Sequence, residues 1–161
     1  MRAFPGASIH GVDTSQSAVA HAQRHFGSAQ ITFGLVQELT AIEQFDLCYV
    51  NGVFHHIEPS ERPTTLQFIR RALRPNGIFA LWENNPWNPG TRFVMSRIPF
   101  DRDAKLLTAR EAVKLLHSME LTPLRVDHEF IFPRLLSTLR PLEPFLSAWP
   151  FGGQYQVLAR R

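Results

Sequence analysis

Polar side chains that could do chemistry follow three of the strands that the sequence predicts. Asp13 ends the first strand, Asn51-Gly52 end a later one, and Glu83 ends the next. Ligands bind at the carboxyl ends of the strands in an open parallel sheet, so these residues are candidates for one binding edge. A carboxylate such as that of Asp13 can accept hydrogen bonds from two neighbouring ribose hydroxyls. Asp13 could instead cap the following helix, and the sequence leaves both interpretations open.

Two adjacent histidines, His55 and His56, follow the turn at Asn51-Gly52. An imidazole at such a place could accept a proton from a reacting group. A shared metal ion is disfavoured, because adjacent side chains of an extended chain point to opposite sides. His21 and His25 have the i, i+4 spacing of a helical zinc motif but lack its glutamate, which favours a solvated helix face. The sequence therefore predicts no metal site.

Strand-like and helix-like stretches alternate along the chain. This alternation predicts an α/β fold with a mostly parallel sheet and helices on both faces. Thr108 and Glu111 predict a capping box at one helix start, and Pro75-Asn76-Gly77 predicts the end of another helix. The last two strands lack a regular crossover helix and are expected to pair antiparallel. The predicted strands are 7–12, 31–36, 45–54, 78–84, 121–132 and 152–161, and the predicted helices are 14–26, 58–77, 108–119 and 133–149.

Composition limits the classes of protein to which the chain can belong. Its 161 residues suit a single domain over 1–161, and 44% hydrophobic with 19% charged residues indicates a folded chain. The net charge of +3 is not gathered into a basic stripe with aromatics, which disfavours nucleic-acid binding. No apolar stretch approaches the length of a membrane span. The single cysteine, Cys48, is expected in the core, and a cytoplasmic location follows from the lack of disulfide partners.

The segment 84–107 has no clear periodicity, and irregular segments of this length are usually functional in compact domains. We interpret it as a substrate lid. Trp87 and Phe93 would line an apolar pocket, and the guanidinium of Arg92 could hold a carboxylate or phosphate. The alternative is a connection that is held to the core by its aromatic residues and keeps its arginines in water.

Four runs of sequence together resemble the class I S-adenosylmethionine-dependent methyltransferases. They are GVDTSQSAVAHA, FDLCYVNGVFHHI, RRALRPNGIFALWE and GGQYQVLARR, and their order and spacing carry the resemblance from Pro5 to Arg160. The pair HH after the fourth strand of that fold and NPWNP after the fifth resemble one branch of small-molecule methyltransferases. The resemblance implies a Rossmann-like fold, S-adenosyl-L-methionine as cofactor and a small-molecule methyl acceptor.

The resemblance also implies roles for single residues. Asp13, with Thr14 beside it, matches the acid that holds the cofactor ribose, and Asn51-Gly52 match the turn beside the methionine part. Gln37 and Glu38 lie near the adenine position, although GLVQEL lacks the usual aspartate. The remaining matches are His55, His56 and Glu83 for catalysis, and Asn84, Trp87, Arg92 and Phe93 for the substrate.

A glycine-rich turn that the resemblance leads one to expect does not occur in the sequence. In that family the strand at 7–12 is the second, and it follows a strand, a G-x-G-x-G turn and a helix. The chain is therefore expected to lack these three, which would leave a gap in the sheet with unpaired backbone groups. Neighbouring strands could close the gap, a second copy or partner chain could fill it, or the sequence could be a gene fragment.

The sequence thus supports two functions. The first is S-adenosylmethionine-dependent methyl transfer to a small molecule. The alternative is a truncated or degenerate domain that binds no cofactor and acts as an assembly partner. A nicotinamide-dependent oxidoreductase shares the acid after the second strand, but it needs the same glycine turn and suits the C-terminal strands less well.

Overall fold

The structure, a computed structural model, describes residues 4–161. Their contacts form two compact units, of which the first ends at Ala41 and the second comprises Ile42–Arg161. The expectation of one domain over 1–161 stays a prediction. Among the described residues, no helix combines the length and the apolar character that crossing a bilayer requires.

The first unit is a β-α-β element. Its two strands pair in parallel, with Ile9 opposite Ile31 and Asp13 opposite Leu35, so both strands end at the same edge. A helix connects the strands, as parallel pairing requires. The elements are β1 Ile9–Asp13, α1 Gln16–Phe26, β2 Ile31–Leu35 and a 3-10 turn at Val36–Glu38.

Ser15, and not Asp13, caps helix α1. The Ser15 hydroxyl accepts a hydrogen bond from the Ala18 backbone N–H at 3.3 Å. The Asp13 carboxylate accepts one from the Ser15 N–H at 2.7 Å, which orients that carboxylate at the end of β1. The N-cap position is thus occupied by a neighbour, and the capping interpretation of Asp13 is wrong.

The second unit contains a four-stranded sheet and most of the helices. Its strands are β3 Phe45–Asn51, β4 Leu73–Asn84, β5 Thr122–Glu129 and β6 Gln154–Arg160. Its helices are α2 Arg62–Ala72, α3 Pro89–Met95, α4 Ala109–Ser118 and α5 Glu143–Leu146. Its 3-10 segments are Phe54–His56, Pro99–Asp101 and Arg134–Leu142.

The order of strands in this sheet is β3-β4-β6-β5. Strand β3 runs parallel to β4, whereas β6 runs antiparallel to both of its neighbours, β4 and β5. The predicted α/β class, with parallel strands and an antiparallel C-terminal strand, is confirmed. Because β3 and β4 are parallel neighbours, the turn after β3 lies beside the end of β4.

Helix α2 ends five residues earlier than the sequence predicts. It stops at Ala72, and Pro75-Asn76-Gly77 lies within an irregular start of β4. Asn76 adopts a positive φ of 65°, and its N–H donates to the Arg161 carbonyl at 3.2 Å. Pairing with the distant C-terminus is a long-range contact, so local sequence signals could not predict it.

The core of the second unit lies between the sheet and the apolar faces of α2 and α4. Thr108 and Glu111 form the predicted capping box, which fixes the start of α4. The predicted apolar stripe of α4 is confirmed at Ala112 and Leu116, which are fully buried. The core residues are Phe54, Leu66, Ile69, Leu73, Phe79, Leu81, Leu107, Ala112, Leu116, Leu121, Tyr155, Val157 and Ala159.

Tyr155 carries the one hydroxyl in this core cluster. The hydroxyl donates a hydrogen bond to the Leu107 carbonyl at 2.9 Å, and burial together with the Glu83 carboxylate raises the pKa of Tyr155 far above its usual value. We expect Tyr155→Phe to lower the free energy of unfolding by about 1–2 kcal/mol, since it leaves a buried carbonyl unpaired. Urea unfolding measures the change. Tyr49→Phe, at a side chain that is 56% exposed, is the control and should change stability by less than about 0.5 kcal/mol.

Cys48, in β3, packs against the core, as the sequence predicts. Burial raises the pKa of its thiol from 9.0 to about 11. The thiolate fraction at pH 8 should therefore be about 100-fold lower in the folded chain than in the unfolded chain. We expect a thiol-specific reagent at pH 8 to label the native protein at least tenfold more slowly than the unfolded protein. Urea at about 8 M suffices to unfold most domains and provides the unfolded sample. Equal rates would contradict the packing of Cys48.

Candidate active site

A fully buried carboxylate, that of Glu83, lies near the end of β4. One of its oxygens accepts a hydrogen bond from the Phe54 backbone N–H at 2.7 Å. The other lies 2.6 Å from Nδ1 of His55, which donates to it. A buried carboxylate is stable only when its oxygens are paired, and here both partners come from the turn that follows β3.

Gly52 allows the chain to turn directly after β3. Its φ of 65° lies in the left-handed region, where a side chain would be strained. Its N–H donates to the Trp82 carbonyl at 2.9 Å and so extends the pairing of β3 with β4 by one residue. The predicted sites at Asn51 and Gly52 thus lie at the carboxyl end of β3, beside the segment that carries the histidines.

The two histidines lie on a 3-10 turn, Phe54–His56, and not on extended chain. Their ring centroids are 4.2 Å apart. The Nε2 atoms of His55 and His56 lie 3.8 and 3.5 Å from the same oxygen, Oδ1 of Asp101. The premise that these side chains point to opposite sides is therefore wrong, although the expectation of no metal stays a prediction.

The surroundings of the two imidazoles differ. His55 is 3% exposed, whereas His56 is 26% exposed and its ring lies 4.4 Å from that of Phe100. Partial burial lowers the pKa of His56, and the neighbouring His55 lowers it further, while Asp101 and Glu83 act in the opposite direction. His56 is therefore more often a neutral imidazole at neutral pH than a free histidine would be.

Arg62, which the sequence analysis did not select, holds the histidine turn in place. Its Nε donates to the carbonyls of Phe54 and Ile57, each at 3.1 Å, and its Nη2 donates to the Lys105 carbonyl. The His55 carbonyl in turn accepts from the Lys105 N–H at 2.7 Å. Arg62 is buried. A single arginine at the start of a helix gives no sequence signal that its side chain joins the histidine turn to Lys105.

Asn84, a predicted substrate residue, faces away from the histidines. Its side-chain oxygen accepts a hydrogen bond from Gln154 at 3.0 Å, and Gln154 accepts one from the Trp82 indole at 2.9 Å. Successive residues of a strand point to opposite faces, so Asn84 and Glu83 lie on opposite faces of β4.

The other predicted substrate residues lie in and before helix α3. Trp87 and Phe93 are 62% and 61% exposed, and Arg92 is exposed. The guanidinium of Arg97, and not that of Arg92, lies over the Phe93 ring at 4.6 Å. The segment 84–107 is thus ordered into short helices with exposed aromatics, and its role as a lid stays a prediction.

Asn85 fixes the start of this segment. Its side chain is buried, donates to the carbonyls of Pro150 and Gly152 at 3.0 and 2.8 Å, and accepts from the Trp87 N–H at 3.1 Å. These contacts bind the end of β4 to the turn before β6. The sequence analysis gave Asn85 no role.

The predicted cofactor residues of the first unit lie at one edge of its sheet. Asp13 ends β1, Thr14 follows it, and Gln37 and Glu38 lie in the 3-10 turn after β2. All four are exposed. Asp13, the last residue of β1, lies opposite Leu35, the last residue of β2. The turn that carries Gln37 and Glu38 therefore begins at the same edge of the sheet as Asp13.

Comparison with known proteins gives matches in sequence. Residues 1–79 match the model of a methyltransferase domain family. An uncharacterized methyltransferase of Synechocystis is 32% identical over 77 residues, which are 47% of this chain and 36% of that protein. The chain thus spans about a third of the length of this relative.

Solved structures give matches in fold. A methyltransferase from Mesorhizobium loti aligns with a TM-score of 0.69 at 18% identity, over 99% of this chain and 83% of that one. A methyltransferase from Archaeoglobus fulgidus aligns with a TM-score of 0.70 at 12% identity, over 94% of this chain and 75% of that one. Both are S-adenosylmethionine-dependent methyltransferases. The chain has the class I methyltransferase fold.

The methyltransferase resemblance that the sequence indicated is therefore confirmed, while the narrower branch marked by HH and NPWNP stays a prediction. The correspondence of β1 to the second strand of the methyltransferase fold stays a prediction. Among the described strands, β1 pairs with β2 alone, and β3 pairs with β4 alone. The expectation that a central strand is missing stays a prediction.

The Glu83 contacts give a test of how this methyltransferase fold holds its histidine turn. Glu83→Ala leaves the Phe54 N–H and the His55 ring without a partner in the core, so we expect it to lower the free energy of unfolding by roughly 2–5 kcal/mol. Urea unfolding measures the loss. Glu58→Ala removes an exposed carboxylate paired with Lys105 and should cost less than about 1 kcal/mol. Equal losses in the two variants would contradict the role of Glu83.

Proposed function

We propose that this protein binds S-adenosylmethionine and catalyses transfer of its methyl group to a small-molecule acceptor. The observation that carries the proposal is the buried Glu83–His55 pair at the carboxyl ends of adjacent parallel strands, in a methyltransferase fold. Ligands of such sheets bind at this edge. When bound, the cofactor supplies an electrophilic methyl group on a sulfonium sulfur.

Each of the two units offers polar groups that suit a part of this cofactor. Asp13 ends β1 with an exposed carboxylate that the Ser15 N–H holds in one orientation, as hydrogen bonding to two ribose hydroxyls requires. The exposed turn at Gln37 and Glu38 offers polar groups for adenine. Asn51 and Gly52 offer backbone and amide groups at the end of β3 for the methionine part.

His55 is the preferred group for taking a proton from the acceptor. Its Nδ1–H is held by Glu83, so the neutral ring carries its lone pair on Nε2. The negative charge of Glu83 also stabilises the imidazolium that forms when Nε2 takes the proton. His56 and Glu83 complete the catalytic group, His56 as a second, more exposed imidazole and Glu83 as the residue that orients His55.

A neighbour of similar fold supports a small-molecule acceptor. It is a 1,6-didemethyltoxoflavin-N1-methyltransferase of Burkholderia thailandensis, bound to 1,6-didemethyltoxoflavin and S-adenosylhomocysteine, with a TM-score of 0.63 at 22% identity over 97% of this chain and 62% of that one. In the present protein, the exposed Trp87, Phe93 and Arg92 would contact such an acceptor.

An additional strand is also proposed at the β3 edge. Leu47 and Tyr49 of β3 are 57% and 56% exposed, and β3 has one neighbour among the described strands. A second copy or a partner chain could pair there. A Haloferax volcanii methyltransferase of similar fold, with a TM-score of 0.68, forms a complex with the activator Trm112, which supports the proposal of a partner chain. A cytoplasmic location is proposed from the single, unpaired Cys48.

Calorimetry with S-adenosylmethionine tests the cofactor proposal. We expect one-to-one binding, and we expect Asp13→Asn to weaken it by about 10- to 100-fold, the effect of losing charge-assisted hydrogen bonds. Asp46→Asn is the matched control, because it makes the same change at an exposed carboxylate paired with Arg74. Its affinity should stay within about twofold of the parent.

Two results would contradict the proposal. Absence of binding by the unaltered chain would favour the alternative of an assembly partner without cofactor. Unchanged affinity in Asp13→Asn would show that the cofactor, if bound, is not held by the carboxylate of β1.

A further inference from the structure

Three potential metal ligands meet at the histidine turn. His55 and His56 come from the 3-10 turn after β3, and Asp101 comes from the 3-10 turn Pro99–Asp101. One ligand atom from each residue lies within 4.8 Å of the others. The Nε2 atoms lie 3.8 and 3.5 Å from Oδ1 of Asp101. Ligand atoms bound tetrahedrally to zinc are about 3.3 Å apart, so small side-chain shifts would suffice.

The distances do not describe a hydrogen-bonded cluster. Nitrogen and oxygen atoms at 3.5 and 3.8 Å are farther apart than the roughly 2.7–3.2 Å of an N–H···O bond. Within the described part of the chain, the Asp101 carboxylate accepts no hydrogen bond, although Asp101 is only 10% exposed. One polar atom from each of the three residues thus lies within 4.8 Å of the others, and neither imidazole is within hydrogen-bond distance of Asp101.

Glu83 prepares His55 to act as a ligand. Because Nδ1 donates to the buried Glu83 carboxylate, the lone pair of the neutral ring is on Nε2, which faces Asp101. Metal-ligating histidines commonly donate their other ring nitrogen to a carboxylate, which fixes the ring and strengthens the ligand. The closeness of the rings, 4.2 Å between centroids, places His56 on the same side as His55.

We propose that His55, His56 and Asp101 bind a divalent transition-metal ion, zinc or a similar borderline metal, with Glu83 orienting His55. Two imidazoles and one carboxylate are a common ligand set for such ions, and three protein ligands leave a position open. An acceptor hydroxyl bound there would lose its proton more readily, and the two histidines would then act as ligands instead of bases. The metal site itself does not depend on methyl transfer.

Cobalt(II) tests the site without a methyl acceptor. The full chain, without an affinity tag and after treatment with a chelator, is titrated with Co²⁺, and the visible absorption of the bound ion is recorded. We expect the protein to bind one Co²⁺ ion per chain and to show the intense visible absorption bands of four-coordinate Co²⁺. Addition of Zn²⁺ should displace the Co²⁺ and abolish these bands. His56→Ala and Asp101→Asn should each weaken binding at least tenfold, and Glu83→Gln about 10- to 100-fold.

The chain offers a matched control in another histidine pair. His21 and His25 lie one turn apart on α1 with ring centroids 4.1 Å apart, so they could bind Co²⁺ non-specifically. His21→Ala should leave the affinity within about twofold, since it lies outside the ligand set. Circular dichroism shows whether each variant folds. Asp101→Asn keeps the shape of the side chain, so it tests the metal site even if His56→Ala does not fold.

Three outcomes would overturn the metal site. They are no one-to-one binding of Co²⁺, unchanged binding in Asp101→Asn, and loss of binding in His21→Ala. The calorimetry with S-adenosylmethionine is done in the presence of a chelator, so failure of one proposal does not affect the test of the other.

Discussion

The pairing of the buried Glu83 carboxylate with the turn after β3 is the interaction on which the site depends. A carboxylate without solvent needs partners for both oxygens, and Phe54 and His55 supply them. The same contacts fix the orientation of the His55 ring and the conformation of a turn that also belongs to the core through Phe54. Stability and chemistry are therefore coupled at this point, because a rearrangement of the turn would leave the buried Glu83 charge without its partners.

The parallel pairing of β3 and β4 makes this interaction possible. Parallel neighbours bring their carboxyl ends to one edge, so residues far apart in sequence, such as His55 and Glu83, become adjacent. Gly52 ends β3 in a conformation that redirects the chain at once toward β4. The first unit uses the same principle, since β1 and β2 end together and place Asp13 at the edge of their sheet.

The sequence predicted the class of fold, the capping box at Thr108 and the polar strand ends, because each depends on a local pattern or on alternation of elements. It also selected His55, His56 and Glu83, which the structure brings into contact. It did not predict that the histidines share one side, since a 3-10 turn was taken for extended chain. Asp101, Arg62 and Asn85 were given no role, because their partners lie in turns that only the folded chain brings near.

The anchors of the segment between β4 and α4 restrict how that segment can move. Asn85 binds its beginning to the turn before β6, and Arg62 and His55 bind its end at Lys105. The beginning of α3 is held as well, because the Asn88 side chain donates to the Phe151 carbonyl at 2.8 Å and the Thr91 hydroxyl donates to the Gly153 carbonyl at 2.7 Å. Asp101 and Phe100 therefore approach His56 from a segment that is anchored near both of its ends, so the position of these two side chains beside the histidine depends on contacts made elsewhere in the fold.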